Sequence, residues 1–369
     1  MKTDDLDYEL PEELIAQEPI AQRDASRLLV LHRETGEIEH RVFHDLGDYV
    51  ARPDLLVANE SRVIPARMYG LKEPSGGRVE ILLLRQLDAC RWRCLVGGAR
   101  TRPGTLIRLV ADEADPDAGP NGDLTAEVEE MGDRGERTLR FSEPVEHHFN
   151  TLGHTPLPPY IHRRLDDPER YQTVYARTPG SAAAPTAGLH FTPDLLLSLR
   201  ERGVGLTFVT LHVGLDTFRP ITEEHIEEHQ IHREWCRVDL NTTEQVNRAK
   251  LNGGRVIAVG TTSVRVLETA ARHGLLRSPR VEVDAATEDM GSCPWQALSP
   301  FDGFSDLYIT PGFRFRAVDA LITNFHLPRS SLLALVMAFA GEEAIRRAYQ
   351  EAIRERYRFF SFGDAMLIL

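Results

Sequence analysis

The sequence predicts an α/β protein in which a larger domain with a mostly parallel sheet is interrupted by a small antiparallel β-barrel. Two observations carry this. After about residue 151, apolar strands alternate with capped amphipathic helices, the pattern of a largely parallel sheet. Between residues 68 and 150 the pattern changes to short alternating runs punctuated by Gly, Pro and Asp, as in a small barrel. The expected division is residues 1–67 with 151–369 for the α/β domain, and 68–150 for the inserted barrel.

Each element follows from its residues. LPEELIAQ (10–17), with Pro11 near its start, suggests a short helix. RLLVLHRETGEIEHRVF (27–43) suggests a hairpin turning at Thr35-Gly36, and DLLVANESRVIPAR (54–67) a strand followed by a loop. In the barrel region MYGLK, GRVEILLLRQL, RWRCLVGG, GTLIRLV, LTAEVEE and RTLRF read as strands. Leu124, Ala126 and Val128 fall on one face, and Thr125, Glu127 and Glu129 on the other, the alternation of a half-buried strand. The acidic stretch 112–123 has no large apolar residue and reads as a solvated loop. Thr192 caps a helix that opens on Pro193, carries Leu195, Leu196 and Leu199 as its apolar stripe, and stops at Gly203. Strands are expected at 205–213, 256–259 and 317–325, and helices at 242–251 and 262–272. Within 341–357, Ile345, Tyr349, Ala352 and Ile353 share one side of an amphipathic helix.

At 369 residues the chain can bury a large core, and 42% hydrophobic with 27% charged residues is the balance of a soluble globular protein. The longest apolar run, 332–340, is about half of the roughly 20 residues a membrane span needs. The acidic N-terminus lacks the order of a secretory signal. Four cysteines, Cys90, Cys94, Cys236 and Cys293, show no paired pattern, which points to reduced thiols and a cytoplasmic location. A net charge of −13 argues against non-specific nucleic-acid binding over the whole surface, but leaves room for a local basic patch.

Chemistry concentrates at the predicted strand ends, where open α/β sheets hold their ligands. Gly260-Thr261-Thr262-Ser263 follows the strand at 256–259 and opens a helix carrying Arg265 and Glu268. Small residues let a ligand approach the backbone, and free N–H groups at a helix start favour a carboxylate or phosphate. The loops APTAGLHF (184–191), TLHVGLDTFRP (210–220), EEHQIHRE (227–234) and TNFHLPRSSLL (323–333) each set His beside Gly, Thr or Asn. Core packing seldom needs that chemistry, whereas a site assembled from loops does. On a helix His225, His229 and His232 would share a face, as metal ligands could; a polar face with a capping His explains the spacing as well. Arg62 with Arg67, and Arg163 with Arg164, adjoin such loops and suit phosphate contacts, although a solvated surface accounts for them too.

The motifs, taken in order, resemble the S-adenosylmethionine:tRNA ribosyltransferase-isomerase family of queuosine biosynthesis. The resemblance runs end to end, from LPEELIAQEPIAQRDASRLLVL and VANESRVIPAR through SGGRVEILL, GHTPLPPYI, RYQTVYA, APTAGLHF, TLHVGLDTF, EEHQIHRE, GTTSVRVLE and TNFHLPRSSLL to YRFFSFGDAM. It implies an α/β domain interrupted by a β-barrel. It also implies that S-adenosylmethionine serves as ribosyl donor to 7-aminomethyl-7-deazaguanine at the tRNA wobble position, giving epoxyqueuosine-tRNA, adenine and methionine. A base removes a proton beside the sulfonium, adenine departs, the aminomethyl nitrogen attacks, and an alkoxide closes the epoxide as methionine leaves.

Such steps need proton transfer and holders for the methionine end, with no metal or redox cofactor. His190, His212, His229, His232 and His326 form the acid–base shortlist, and Glu234 and Asp364 suit the donor's ammonium or the orientation of a His. Thr261, Thr262 and Ser263 suit its carboxylate, and Thr186, Gly188, Thr217, Arg265 and Asn324 complete the expected donor site. Arg62, Arg67, Arg163 and Arg164 are the expected tRNA contacts, and a monomer without a membrane or an obligate protein partner is expected. The chain departs from the family pattern at Leu215-Asp216 and Glu60, in having His225, and in a longer stretch at 286–304. The competing classes are a non-catalytic tRNA-binding module, a methyltransferase, and a metal-dependent hydrolase using His225, His229 and His232. The methyltransferase reading lacks its Gly-rich turn after the first strand.

Overall fold

The computed structural model describes residues 1–98, 101–111, 124–132, 135–214, 219–231, 233–276 and 297–369. The acidic stretch 112–123, Leu215-Asp216 and residues 286–296 lie outside these. The chain divides into two compact units. One comprises Met1–Arg62, Pro158–Thr178 and Ala184–Leu369; the other comprises Val63–Leu157 with Pro179–Ala183. The second is wider than 68–150. Past α1 (Phe149–Leu152) the chain stays with it, because His154 and Arg67 exchange backbone hydrogen bonds of 2.8 and 3.1 Å.

The larger unit is built on a nine-stranded sheet. In chain order its strands are β1 (Arg27–His32), β2 (Glu37–Val42), β3 (Leu55–Asn59), β12 (Gly205–Leu211), β13 (Glu234–Val238), β14 (Val256–Val259), β15 (Phe301–Ser305), β16 (Ala320–Asn324) and β17 (Ala365–Ile368). Two short strands, β4 (Ser61–Val63) and β11 (Thr178–Ser181), lie where the chain passes from one unit to the other. The order across the sheet is β15-β13-β12-β3-β14-β16-β17-β1-β2. Its centre, β12-β3-β14-β16, is parallel, and antiparallel pairs on both flanks make the sheet mixed.

Both faces of the central strands are covered, so β14 and β16 are buried throughout, and apolar up to the Thr323-Asn324 that ends β16. Leu28, Leu56, Ile257, Ile322 and Leu367 face a core completed by Phe43, Phe191 and the stripe Leu195 and Leu199 of α2 (Pro193–Glu201). As its sequence predicts, α2 is capped by Thr192, whose hydroxyl accepts from Leu195 N–H at 3.2 Å. Helices α3 (Leu240–Leu251), α4 (Thr261–Leu276), α5 (Ser331–Ala340) and α6 (Glu342–Arg354) follow. The hairpin turns through Gly36, whose φ of 71° is the left-handed conformation that glycine permits. LPEELIAQ forms one 3-10 turn, Glu12–Leu14, in place of the expected helix. Ile15 is extended and bridges to Phe359, so the backbone hydrogen bonds go across the chain.

The smaller unit contains a closed barrel in the order β10-β7-β6-β5-β8-β9. Its strands are β5 (Arg67–Glu73), β6 (Gly77–Gln86), β7 (Arg91–Val96), β8 (Leu106–Val110), β9 (Thr125–Met131) and β10 (Glu136–Phe141). Ala126 and Val128 are buried and Thr125, Glu127 and Glu129 are not, which is the alternation read from the sequence. The barrel is narrow: a Cβ on Gly70 would stand 2.5 Å from Ile107 Cγ2.

Candidate functional site

Sheet topology decides which loops can meet. Because β12, β3, β14 and β16 are parallel, their carboxyl ends share one edge, bringing His212, Asn59, Gly260 and Asn324 to it. β17 is antiparallel to β16 and pairs Asn324 with Ala365, so its amino end, with Asp364, reaches the same edge. β1 runs parallel to β17, and Ser26 arrives beside it.

A cleft opens at this edge, lined by Thr186, Thr261, Thr262, Asn324, His326 and an aromatic wall of Tyr160 and Phe360. Asn324 sits at the centre of a hydrogen-bonded chain. Thr186 Oγ1 donates to Asn324 Oδ1 at 2.9 Å, and Asn324 Nδ2 lies 3.2 Å from His190 Nε2. His190 Nδ1 lies 2.7 Å from Ser26 Oγ. With the amide donating to Nε2, the proton of the neutral ring is on Nδ1 and is donated to Ser26. His190 is buried against Phe43, with ring centroids 5.0 Å apart. Burial first, then the charges of Arg23 and Arg358, pushes its pKa down to about 3. A ring held neutral and behind Asn324 orients that amide; it does not itself line the cleft.

His326 does line the cleft, and it is the single imidazole to do so among the described residues. Thr323 Oγ1 lies 2.7 Å from its Nε2, its N–H donates to Tyr349 Oη at 2.9 Å, and its carbonyl accepts from Tyr8 Oη at 2.5 Å. Burial pushes its pKa down to about 3 as well. Gly260, with φ 88°, turns the chain from β14 into α4. Of the three residues that follow, Ser263 is spent internally, its hydroxyl donating to Val259 O at 2.7 Å. Thr262 differs: its Oγ1 is buried and without a partner among the described residues. Gly188 does not line the cleft; a Cβ there would stand 2.1 Å from Tyr175 Oη.

The family model for "queuosine biosynthesis protein" matches residues 3–368. The chain belongs to that family. It is 48% identical to the S-adenosylmethionine:tRNA ribosyltransferase-isomerase of Desulforamulus reducens and 51% identical to that of Symbiobacterium thermophilum, covering 100% of each chain in both cases. The crystal structure of S-adenosylmethionine tRNA ribosyltransferase from Thermotoga maritima is similar at 40% identity and a TM-score of 0.52, over 99% of this chain and 100% of that one.

Other residues expected at the site take different places. Asp364 is buried and accepts from the backbone N–H groups of Arg27 at 2.9 Å and Arg358 at 2.8 Å, so it clamps two segments together. Burial raises its pKa, against those hydrogen bonds. Arg265 and Glu234 form a buried ion pair, and Glu234 Oε1 also accepts from Gly214 N–H at 2.8 Å. With His229 they line a separate small cleft. Glu268 accepts from the backbone N–H groups of Ala317 and Val318, at 3.0 and 3.1 Å, and its pKa is raised by burial.

His212 packs against Trp235 and has its pKa lowered by burial; its Nε2 has no partner among the described residues. His225, His229 and His232 do not share a helical face. Only Ile226–Glu228 forms a single 3-10 turn, with His225 and His229 extended on either side. His229 Nδ1 lies 3.0 Å from Glu223, while His232 and Thr217 lie outside the described residues. Arg62 is paired with Glu169, Arg67 with Glu80 at 3.0 Å and Arg163 with Glu18 at 2.6 Å, and Arg164 is exposed.

Sequence reasoning missed Ser26, Tyr160, Thr323 and Phe360. Tyr160 and Phe360 sit inside the quoted strings GHTPLPPYI and YRFFSFGDAM, yet aromatic residues there look like core. Phe360 has φ 70°, a conformation costing a non-glycine residue about 1 kcal/mol or more, and its ring lies 4.8 Å from that of Tyr160.

Proposed function

We propose that this protein transfers and isomerises the ribosyl group of S-adenosylmethionine onto 7-aminomethyl-7-deazaguanine at the tRNA wobble position, releasing adenine and methionine. The observation that carries the reading is convergence: motif residues from separate stretches, Thr186, Thr261, Thr262, Asn324 and His326, line one cleft at the carboxyl edge of the sheet.

In this reading the cleft binds the donor. The Tyr160–Phe360 wall offers a face for adenine, and the start of α4 with the Thr262 hydroxyl takes the methionine carboxylate. Asn324, held by His190 and Thr186, fixes the ribose, and His326 is the imidazole available to exchange a proton there. Glu234, Arg265 and His229 shape the neighbouring loop, with His212, His232, Thr217, Gly188, Ser263 and Asp364 as supporting positions. No step calls for a metal. Among the described residues, no helix is long and apolar enough to cross a membrane. A monomer acting in the cytoplasm completes the proposal.

Product analysis tests it. Incubation with S-adenosylmethionine and tRNA bearing the aminomethyl base releases adenine and methionine together, with or without EDTA. S-adenosylhomocysteine as the main product would establish a methyltransferase instead. Loss of activity with EDTA, restored by zinc, would establish metal dependence.

A further inference from the structure

Three arginines differ from the paired cations described above in what holds them. Arg23 donates through Nη1 to Leu189 O at 3.2 Å and through Nη2 to Glu169 O at 3.0 Å. Arg170 donates to Ala21 O at 3.0 Å and to Ile20 O, and Arg358 donates to Glu18 O. All these acceptors are main-chain carbonyls. A carbonyl fixes a guanidinium in place without cancelling its charge.

Arg23 and Arg170 are half-buried, and neither is ion-paired among the described residues. Burial first, and the charge of Arg170 next, hold the Arg23 guanidinium below its ordinary pKa, while Asp167, Glu169 and Tyr175 act the other way. Both arginines line one small pocket with Ile20, His190, Ser361 and Gly363. Two like charges held side by side by neutral acceptors are stabilised by an anion that both can reach, and the planar fork of each guanidinium matches phosphate oxygens.

We propose that Arg23 and Arg170 bind a backbone phosphate of the tRNA substrate. This rests on the functional reading above. The pocket is one side chain from the cleft, since its wall residue His190 contacts Asn324 at 3.2 Å. A nucleotide reacting in the cleft would therefore bring a neighbouring phosphodiester to this place. The one anionic group of S-adenosylmethionine, its carboxylate, goes to the start of α4 in this reading, so the anion here comes from the polymer.

The same hydrogen bonds also strap the segment 18–21, and the experiment separates strapping from phosphate binding. tRNA affinity is measured by fluorescence anisotropy across a salt series for wild type, Arg23→Gln, Arg170→Gln and, as a paired-arginine control in the barrel, Arg140→Gln. Each glutamine at Arg23 or Arg170 lowers affinity about tenfold at low salt and flattens the logarithmic salt slope by roughly one unit. Arg140→Gln changes affinity less than about twofold. Wild-type turnover is followed in parallel. Its absence defeats the functional reading, whereas turnover with unchanged salt slopes in folded Arg23→Gln and Arg170→Gln defeats only this site. If those variants do not fold, wild-type protein is modified with phenylglyoxal with and without tRNA. Protection of Arg23 and Arg170 supports the site, and equal modification overturns it.

Discussion

The barrel and the carboxyl edge of the large sheet treat polar groups in opposite ways. Inside the barrel lie Met68, Ile81, Trp92, Cys94, Leu109, Val128 and Leu139, while charges stay outside as cross-strand or turn pairs such as Arg140–Glu127 and Arg91–Asp88, both 2.6 Å. The sheet edge buries Asn59, His190, Ser263, Arg265, Asn324, His326 and Asp364. Burying such groups is unfavourable unless each finds a partner, and nearly all of them do. One chain thus builds an apolar core where it needs only stability, and concentrates polar burial where loops from several strands must be held in fixed geometry. That contrast locates a site before any ligand is considered.

The largest test breaks one ion pair in each region. Glu234→Gln leaves Arg265 buried without its counterion and should lower stability by about 3–5 kcal/mol. Arg140→Gln breaks an exposed barrel pair and should change stability by about 0.5 kcal/mol or less. Urea midpoints followed by circular dichroism compare the two directly. Equal midpoints would dissolve the contrast.

A second test uses pH. His190 and His326 are neutral in the fold, with pKa values pushed down to about 3 from 6.5, so the unfolded chain binds more protons between those values. Their stabilising contribution is complete above pH 6.5 and is lost as the pH falls toward 3. Each should cost about 2 kcal/mol between pH 8 and pH 5. His190→Gln should flatten that fall by the share of one imidazole. A Tm profile that is level from pH 8 to pH 5 would show that neither ring stays neutral in the fold.

The two regions also differ in how far their sequence could be read. The barrel was legible because period-two alternation is local: Leu124, Ala126 and Val128 announce an inward face by themselves. The edge was legible as a set of loops, through Gly260, Asn324 and the histidines, but not as a geometry. That Asn324 meets His190, and His190 meets Ser26, depends on β17 running antiparallel to β16 and on β1 joining it, pairings of residues far apart in sequence. The expected helix at 10–17 failed for the same reason, since its backbone pairs with Phe359. Arginine pairs in sequence did not reveal which cations were neutralised, because Glu169, Glu80 and Glu18 come from elsewhere in the chain.

The smallest effect is the sharpest, because it separates neighbours that look alike in sequence. Ser263 donates to Val259 O, so its hydroxyl belongs to the fold; Ser263→Ala should cost about 1 kcal/mol of stability and leave donor affinity intact. Thr262 Oγ1 is buried with no partner among the described residues, a state that is unfavourable in the free protein. Thr262→Val keeps the branched shape and removes that orphaned group, so stability should hold or rise by about 1 kcal/mol. If the hydroxyl is kept because it meets the donor, affinity for S-adenosylmethionine should fall by about 1 kcal/mol, roughly fivefold. Opposite signs in stability and binding mark a ligand-facing group, since a group serving the fold loses stability when removed. Calorimetric titration with S-adenosylmethionine, alongside urea midpoints, reads both quantities. A Thr262→Val protein with undiminished donor affinity would place the methionine end of the donor away from the start of α4.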